Sequence, residues 1–515
     1  MEHRFHRPSV ARLPALTLCG CLLILALILS NIANPTSLGD SIRHLTLASL
    51  LRSGQSFQGW GDILYSGYFN THNVDPWYLT HILLTPLGAL DIVTAQKLFI
   101  LLLVSVVGIG FLTTVNIWRL TPVTQSVLVC LLLFGHIQFS LRLLVGRPLF
   151  FMVTLTMFAL LFVLQRHALP LIFLMIVATL LSHLFVFPLL VCLVGFLWLF
   201  SLSEKYKATL VLLCSIAGVC IGLWLHPQTS NYIHYIVTIF LKVPFLVQLN
   251  TSTEMHSGIG RMAPVFALFG AMILFAYSLR HSQRISWKDM HKHGLSLTAV
   301  IVTVMIGGMF VWVRMLDFLW PLLLVLLAQI LSLHPRVVSE TMQSILPQWA
   351  LHKRLAIGVL VLFLTVHTGK IYYSFTSSDA GRALAHFAEP MKVIPDSARV
   401  LNIDWDLFPV LFSARPDLFY ARGMDPSYDY LVDPESIGLF STIRTSSPEN
   451  IDWDAWLEEM MLHLPSDYLA LWTENRSETI EVLDNVQKLE QVGMSQRIVV
   501  YKILVSPRHQ RKDSV

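Results

Sequence analysis

Residues 168–203 read ALPLIFLMIVATLLSHLFVFPLLVCLVGFLWLFSLS, and this stretch decides the fold class. It contains no Asp, Glu, Lys or Arg. It is also nearly twice as long as the roughly 20 residues that cross a bilayer as one helix. We therefore predict two membrane spans here, divided near Ser182, His183 and Pro188.

The chain as a whole is also rich in apolar residues and poor in charged ones. Of its 515 residues 55% are hydrophobic and only 13% are charged, whereas soluble chains carry about a quarter charged residues. The six cysteines all lie in or beside apolar stretches, which argues against an exposed disulfide framework or a structural zinc site. We predict a polytopic α-helical membrane protein with about eleven spans, near 13–32, 97–118, 123–141, 148–165, 169–186, 188–203, 208–226, 263–280, 294–313, 315–333 and 355–374.

The placement of cations predicts the orientation of these spans. Basic loops tend to remain in the cytoplasm, and the first twelve residues contain three arginines. We predict a cytoplasmic N-terminus, an uncleaved first span and an extracytoplasmic C-terminus. Four arginines then fall on the non-cytoplasmic face, where cations are uncommon, and so become functional candidates: Arg142, Arg147, Arg261 and Arg314.

The loop after the first span, residues 33–96, contains several polar residues that are candidates for a functional site. Asp40 precedes a predicted helix that begins at Ser41, and Arg43 and His44 follow one helical turn later. As an N-cap, Asp40 could act in the structure alone, or it could hold a catalytic carboxylate in place. The segment 81–95 is too short and too broken for a span and is predicted to be interfacial or re-entrant. The same loop contains Asp62, His72, Asp75 and His81, which are either solvated residues or hard ligands for a divalent cation.

Residues 376–515 have the composition of a small soluble α/β domain. Strands are predicted at 398–404, 467–472 and 497–503, and amphipathic helices at 452–464 and 477–493. This domain could bind an acceptor, cap the site or stabilise the protein. Residues 1–375 form the predicted transmembrane domain.

Three stretches resemble the GT-C superfamily of membrane glycosyltransferases, which take sugars from polyprenyl-phosphate donors. GDSIRHLTLASLLRSG (39–54) is similar to the Asp and interfacial helix of the superfamily's first outer loop. The later part of that loop resembles GYFNTHNVDPWYLTHILLTPLG (67–88). A late span with a leading Arg in the superfamily resembles WVRMLDFLWPLLLVLLA (312–328). FYARGMDPSYDYL (419–431) is similar to outer domains of related proteins. Here Ser41 stands where several members have a second acidic residue.

The resemblance implies an inverting hexosyl- or pentosyltransferase. Asp40 would be the general base, worth roughly 10²–10⁴-fold in rate. The donor phosphate would lie among Arg314, Arg147 and Arg142, each of which could instead reach water beside lipid headgroups. Asp317 is expected to pair with Arg314. Residues that would contact the acceptor or support the base are His44, Arg43, Asp62, Asp75 and His81.

The implied partners are a polyprenyl-phosphate sugar, the bilayer and a glycolipid, polysaccharide or protein acceptor, without nucleic acid. No cofactor and no metal are predicted, although the acidic loop leaves a divalent cation open. One rival is a catalytically silent scaffold of the same fold, and another is a transporter or flippase. The abundant apolar spans and missing disulfides favour a bacterial inner membrane, with the endoplasmic reticulum as the alternative.

Overall fold

The computed structural model describes residues 12–31, 40–243, 295–309, 315–333, 380–423, 426–473 and 477–504, with parts of 265–294 and 358–373. The protein is mostly helical, with several apolar helices and a small sheet near its C-terminal end, as predicted. The helices up to residue 243 are α1 (Arg12–Asn31), α2 (Asp40–Arg52), α3 (Gly67–Thr71), α4 (Tyr78–Leu84), α5 (Ile92–Val115), α6 (Pro122–Phe134), α7 (Ile137–Leu144), α8 (Leu149–Gln165), α9 (Leu169–Leu181), α10 (Val186–Ser201), α11 (Lys205–Leu225) and α12 (Thr229–Val237).

Within the described residues, four helical segments are long and apolar enough to cross a membrane: 92–118, 183–201, 205–225 and 315–332. A fifth span results if α6 and α7 are taken together, although they are bent by 71°. The predicted spans at 263–280 and 355–374 fall largely outside the described residues, so the total of eleven stays a prediction. Among the described residues after α12 lie two further apolar helices, α13 (Leu295–Met309) and α14 (Met315–Leu333).

The break predicted in the opening stretch is confirmed. α9 ends at Leu181, Ser182 is extended with φ −169° and ψ 151°, and α10 begins at Val186. The span predicted at 123–141 is broken in the structure, because the helix stops at Phe134 and restarts at Ile137. His136 caps the new helix, since its Nδ1 accepts a hydrogen bond from the backbone N–H of Phe139 at 3.3 Å.

The segment predicted to be interfacial or re-entrant folds as α4 followed by a 3₁₀ turn, Thr85–Ala89. This turn packs directly on α2. A Cβ placed on Gly88 would lie only 2.7 Å from the Cα of Ser49, so glycine permits the close approach. The first loop is therefore folded against its own helix.

The C-terminal region contains α15 (Ala380–Met391), α16 (Phe408–Ala414), α17 (Pro426–Tyr430), α18 (Pro434–Thr445), α19 (Trp453–His463) and α20 (Ser477–Leu483). Its five strands are β1 (Arg399–Asn402), β2 (Phe419–Tyr420), β3 (Tyr468–Trp472), β4 (Leu489–Met494) and β5 (Ile498–Ile503), in the order β2-β1-β3-β5-β4. β1 is parallel to β2 and β3, whereas β5 is antiparallel to β3 and β4.

Most of the predicted elements of this region are confirmed, namely three strands and the helix at 452–464. The helix predicted over 477–493 is wrong in its second half. It ends at Leu483, and Leu489–Met494 forms the edge strand β4. Pairing with β5 overrides the helical pattern, because backbone hydrogen bonds to a neighbouring strand are available only in the folded sheet.

The first loop covers the opposite edge of the sheet. The backbone N–H of Tyr420 donates to the carbonyl of Ile63 at 3.0 Å, and that of Tyr65 donates to the carbonyl of Tyr420 at 3.1 Å. Beneath this edge, Trp60 and Tyr68 of the loop share a buried cluster with Phe408 and other residues of the C-terminal region. The edge strand is thus paired and shielded from other chains.

Candidate active site

Helix α2 lies between two hydrophobic cores. Leu45 and Ala48 belong to the core formed by the long apolar helices. Ile42 and Leu47 belong to the core that the first loop shares with the C-terminal region. Because opposite sides of α2 are both buried, the helix is held firmly where the membrane part and the C-terminal region meet.

The start of α2 packs against the turn between α7 and α8. Gly146 has φ +75°, and a Cβ placed on it would lie 3.0 Å from the Cβ of Ser41. The Nε2 of Gln96 on α5 donates a hydrogen bond of 2.7 Å to the hydroxyl of Ser41. Asp40 and Arg147 are the chain neighbours of the two residues in contact. The structure therefore brings the backbone of the predicted base close to that of a predicted phosphate ligand.

Arg142 lies in α7 and is buried. Its Nε is 2.9 Å from both carboxylate oxygens of Asp317 in α14, and one terminal nitrogen is also 2.9 Å from that carboxylate. Arg147 is half-buried in the following turn. Since Asp317 already balances the charge of Arg142, Arg147 is the stronger candidate for the donor phosphate. Arg314 and its expected pairing with Asp317 lie outside the described residues.

Three of the predicted supporting residues join into one buried chain. The Nδ1 of His81 is 2.6 Å from Oδ2 of Asp75, and its Nε2 is 2.7 Å from Nδ1 of His44. His44 and His81 are each 1% exposed and Asp75 is 2% exposed. Burial, together with the neighbouring Arg43 and His81, holds the pKa of His44 well below its usual value of 6.5.

Arg43 connects α2 to both neighbours. Its guanidinium lies 5.0 Å from the centre of the Trp77 ring, and its Nη1 donates to the carbonyl of Gly423 at 3.5 Å. Gly423 follows β2, so the Arg43 guanidinium links α2 to the end of an edge strand. Its close contacts favour a positioning role.

Asp62 and His72 lie apart from this chain. Asp62 accepts hydrogen bonds from the Asn73 side chain at 3.0 Å and from the Gln58 backbone at 2.6 Å, which makes it a local turn residue. The ring of His72 lies 4.2 Å from that of His234. No group of three His, Cys, Asp or Glu side chains suited to a metal occurs among the described residues.

Sequence reasoning overlooked His136, Gln96 and Gly146. His136 lies at the break between α6 and α7, and its ring lies 5.3 Å from that of Trp320. Its buried Nε2 has no hydrogen-bond partner among the described residues. The signal was present in the sequence, because Gly135-His136 interrupts an apolar run. Gln96 and Gly146 gave no such signal, since their importance depends on their contact with Ser41.

Apolar helices, a first loop folded around α2 and a small mixed sheet together define a GT-C-like fold. ArnT from Cupriavidus metallidurans has this fold. Its crystal structure bound to undecaprenyl phosphate aligns with a TM-score of 0.57 and 11% identity over 96% of this chain and 99% of that chain. The apo state aligns with a TM-score of 0.53 and 11% identity over 95% and 97%. No protein-family model and no curated protein matches the chain, so the likeness is one of fold.

Proposed function

We propose that this chain is an integral membrane glycosyltransferase that uses a polyprenyl-phosphate-linked sugar on the non-cytoplasmic face of the membrane. A fold alone does not fix a function. The observation that carries the proposal is the packing of Ser41 against Gly146, because it brings Asp40 and Arg147 into one region. The binding of undecaprenyl phosphate by ArnT, a protein of the same fold, supports the choice of donor.

In the proposed reaction, an acceptor oxygen or nitrogen attacks the anomeric carbon opposite the phosphate. Asp40 takes the acceptor proton as the carbon–phosphate oxygen bond breaks, which inverts the configuration. Arg147 and Arg314 stabilise the charge of the departing polyprenyl phosphate, since guanidinium groups match phosphate oxygens in geometry and charge. The acceptor is a glycolipid, polysaccharide or protein, and the transferred group is a hexose or pentose.

The test is sugar transfer by the purified full-length protein from a panel of radiolabelled polyprenyl-phosphate sugars. We expect Asp40→Asn to lower turnover by at least about 10²-fold, because an amide cannot accept the proton. Asp91→Asn is the matched control. Asp91 is exposed and caps α5 through the Thr94 N–H at 3.0 Å, and asparagine caps helices equally well.

Two results would contradict the proposal in different ways. Equal turnover by wild type and Asp40→Asn would keep the enzyme but remove Asp40 as its base. Absence of turnover with every donor, in folded protein that still binds them, would favour the scaffold interpretation.

A further inference from the structure

We propose that Asp75, His81 and His44 form a proton relay that leads the acceptor's proton away from the start of α2. This inference rests on the proposed function and adds residues to it. The three side chains come from α2, α4 and the segment between α3 and α4, and they are joined by contacts of 2.6 and 2.7 Å. Such a chain needs each group in one defined protonation state.

With both imidazoles neutral and Asp75 ionised, one set of proton positions satisfies both hydrogen bonds. A carboxylate only accepts hydrogen bonds, so His81 must carry its proton on Nδ1. The Nε2 of a neutral His81 then has a lone pair, and the hydrogen bond to it requires a proton on Nδ1 of His44. The remaining nitrogen of His44, Nε2, therefore carries a lone pair that can accept a proton. His44 lies one helical turn after Asp40 on α2.

The proton moves in three balanced steps. Asp40 gives the acceptor proton to Nε2 of His44, and His44 releases its Nδ1 proton to Nε2 of His81. His81 becomes an imidazolium that the Asp75 carboxylate stabilises through Nδ1, as the carboxylate of a Ser-His-Asp triad stabilises its histidine. Loss of the Nδ1 proton to water leaves both histidines protonated on Nε2, so each imidazole returns to its Nδ1–H tautomer before the next turnover.

The surroundings give this transfer its direction. The Arg43 guanidinium next to His44 disfavours a second positive charge there, whereas Asp75 favours one on His81. The rings of Phe57, Trp60 and Trp77 lie 5.3–6.3 Å from the two imidazoles and exclude water along the chain. The titratable groups that pack around the chain are Arg43, Tyr78, His183, His226 and Tyr232.

A cavity of about 250 Å³ lies at the far end of the chain. Asp75 lines it together with Phe57, Gln58, Tyr78, Pro227 and Gln228. Its size admits several water molecules, each of which occupies about 30 Å³ in the liquid. Water in this cavity would take up the proton, so the relay has both a start near Asp40 and an exit at Asp75.

The relay is tested by the pH dependence of transfer in the full-length protein, with Asp75→Asn and His81→Gln. Asparagine keeps one oxygen for the His81 N–H but cannot stabilise an imidazolium. We expect both variants to lower kcat about 10²-fold at pH 7, with the KM of the donor changed less than about threefold. Their kcat should rise roughly tenfold per pH unit between pH 6 and 8, where wild type changes little. His167→Gln and Asp91→Asn, both at exposed positions, are the matched controls.

Thermal unfolding of each variant identifies loss of folded protein, and His44→Gln serves if either first variant fails to fold. Wild-type kcat and a wild-type pH profile in the variants would overturn the relay. An equal loss at every pH would also overturn it, because that is the signature of a structural role. Absence of turnover in wild type would instead overturn the proposed function, and the relay with it.

Discussion

The ion pair between Arg142 and Asp317 offers the most direct test of how the apolar helices are held together. Arg142 is 8% exposed and Asp317 is fully buried, and three N–O distances of 2.9 Å join them across α7 and α14. Replacing Asp317 by Asn removes the negative charge and leaves the guanidinium buried without its counter-ion.

The expected cost follows from the geometry. Two unit charges about 4 Å apart interact with about 4 kcal/mol at an effective dielectric constant near 20. Removing one partner of a buried pair costs about 3–5 kcal/mol in measured cases. We therefore expect Asp317→Asn to lower the free energy of unfolding by about 4 kcal/mol. The double variant Arg142→Met with Asp317→Leu should return to within about 1 kcal/mol of wild type, since neither member of this pair is then left buried without the other.

Unfolding is measured by titrating the purified protein in dodecylmaltoside micelles with sodium dodecyl sulfate. Glu389→Gln is the control, because Glu389 forms an exposed pair with Lys392 and should have no measurable effect. A single variant as stable as wild type, or a double variant as unstable as the single one, would refute the reasoning. Unchanged donor affinity in the double variant would remove Arg142 from the phosphate site.

Two further predictions concern the first loop. Gly67 has φ +71°, and a Cβ there would lie 2.0 Å from the carboxylate of Asp429, which accepts a hydrogen bond from the Tyr68 N–H at 3.0 Å. Gly67→Ala should therefore lower the free energy of unfolding by about 2–4 kcal/mol in the same titration. An unchanged midpoint would contradict the docking of the C-terminal region on the first loop. The folded-state pKa of His44 lies below 6.5, so the unfolded chain binds more protons than the folded chain as the pH falls past 6.5. The free energy of unfolding should therefore be highest above pH 6.5 and decline below it by up to about 1.4 kcal/mol per pH unit, with a flatter slope in His44→Gln. A slope unaltered by that substitution would disprove the lowered pKa of His44.

The sequence alone indicated a mostly helical protein with several apolar helices, and it indicated much of the local structure. Long apolar runs, the break at Ser182–His183 and the alternating strands near the C-terminus are local patterns of hydropathy and periodicity. Such patterns fix an element because the residues that decide it are neighbours along the chain. The sequence also predicted a helix that begins at Ser41, and α2 begins one residue earlier, at Asp40.

Long-range packing decided the elements that sequence reasoning misjudged. Leu489–Met494 continues a helical pattern yet pairs with β5, because the sheet supplies backbone partners that the segment lacks alone. α6 and α7 are bent by 71°, and His136 caps the second helix at this break. The pairing of Leu489–Met494 cannot be derived from a window of neighbouring residues, whereas Gly135-His136 did mark the break between α6 and α7 in the sequence.

The candidate site belongs almost wholly to the tertiary structure. The sequence supplied Asp75, His81 and His44 as separate polar residues, but only the packing of α4 on α2 joins them into one chain. In the sequence, Arg142 is an isolated cation and Asp317 is a neighbour of Arg314. The fold pairs Arg142 with Asp317 although 175 residues separate them along the chain. Composition can indicate which chemical groups are available, whereas their distances depend on helices that meet only after folding.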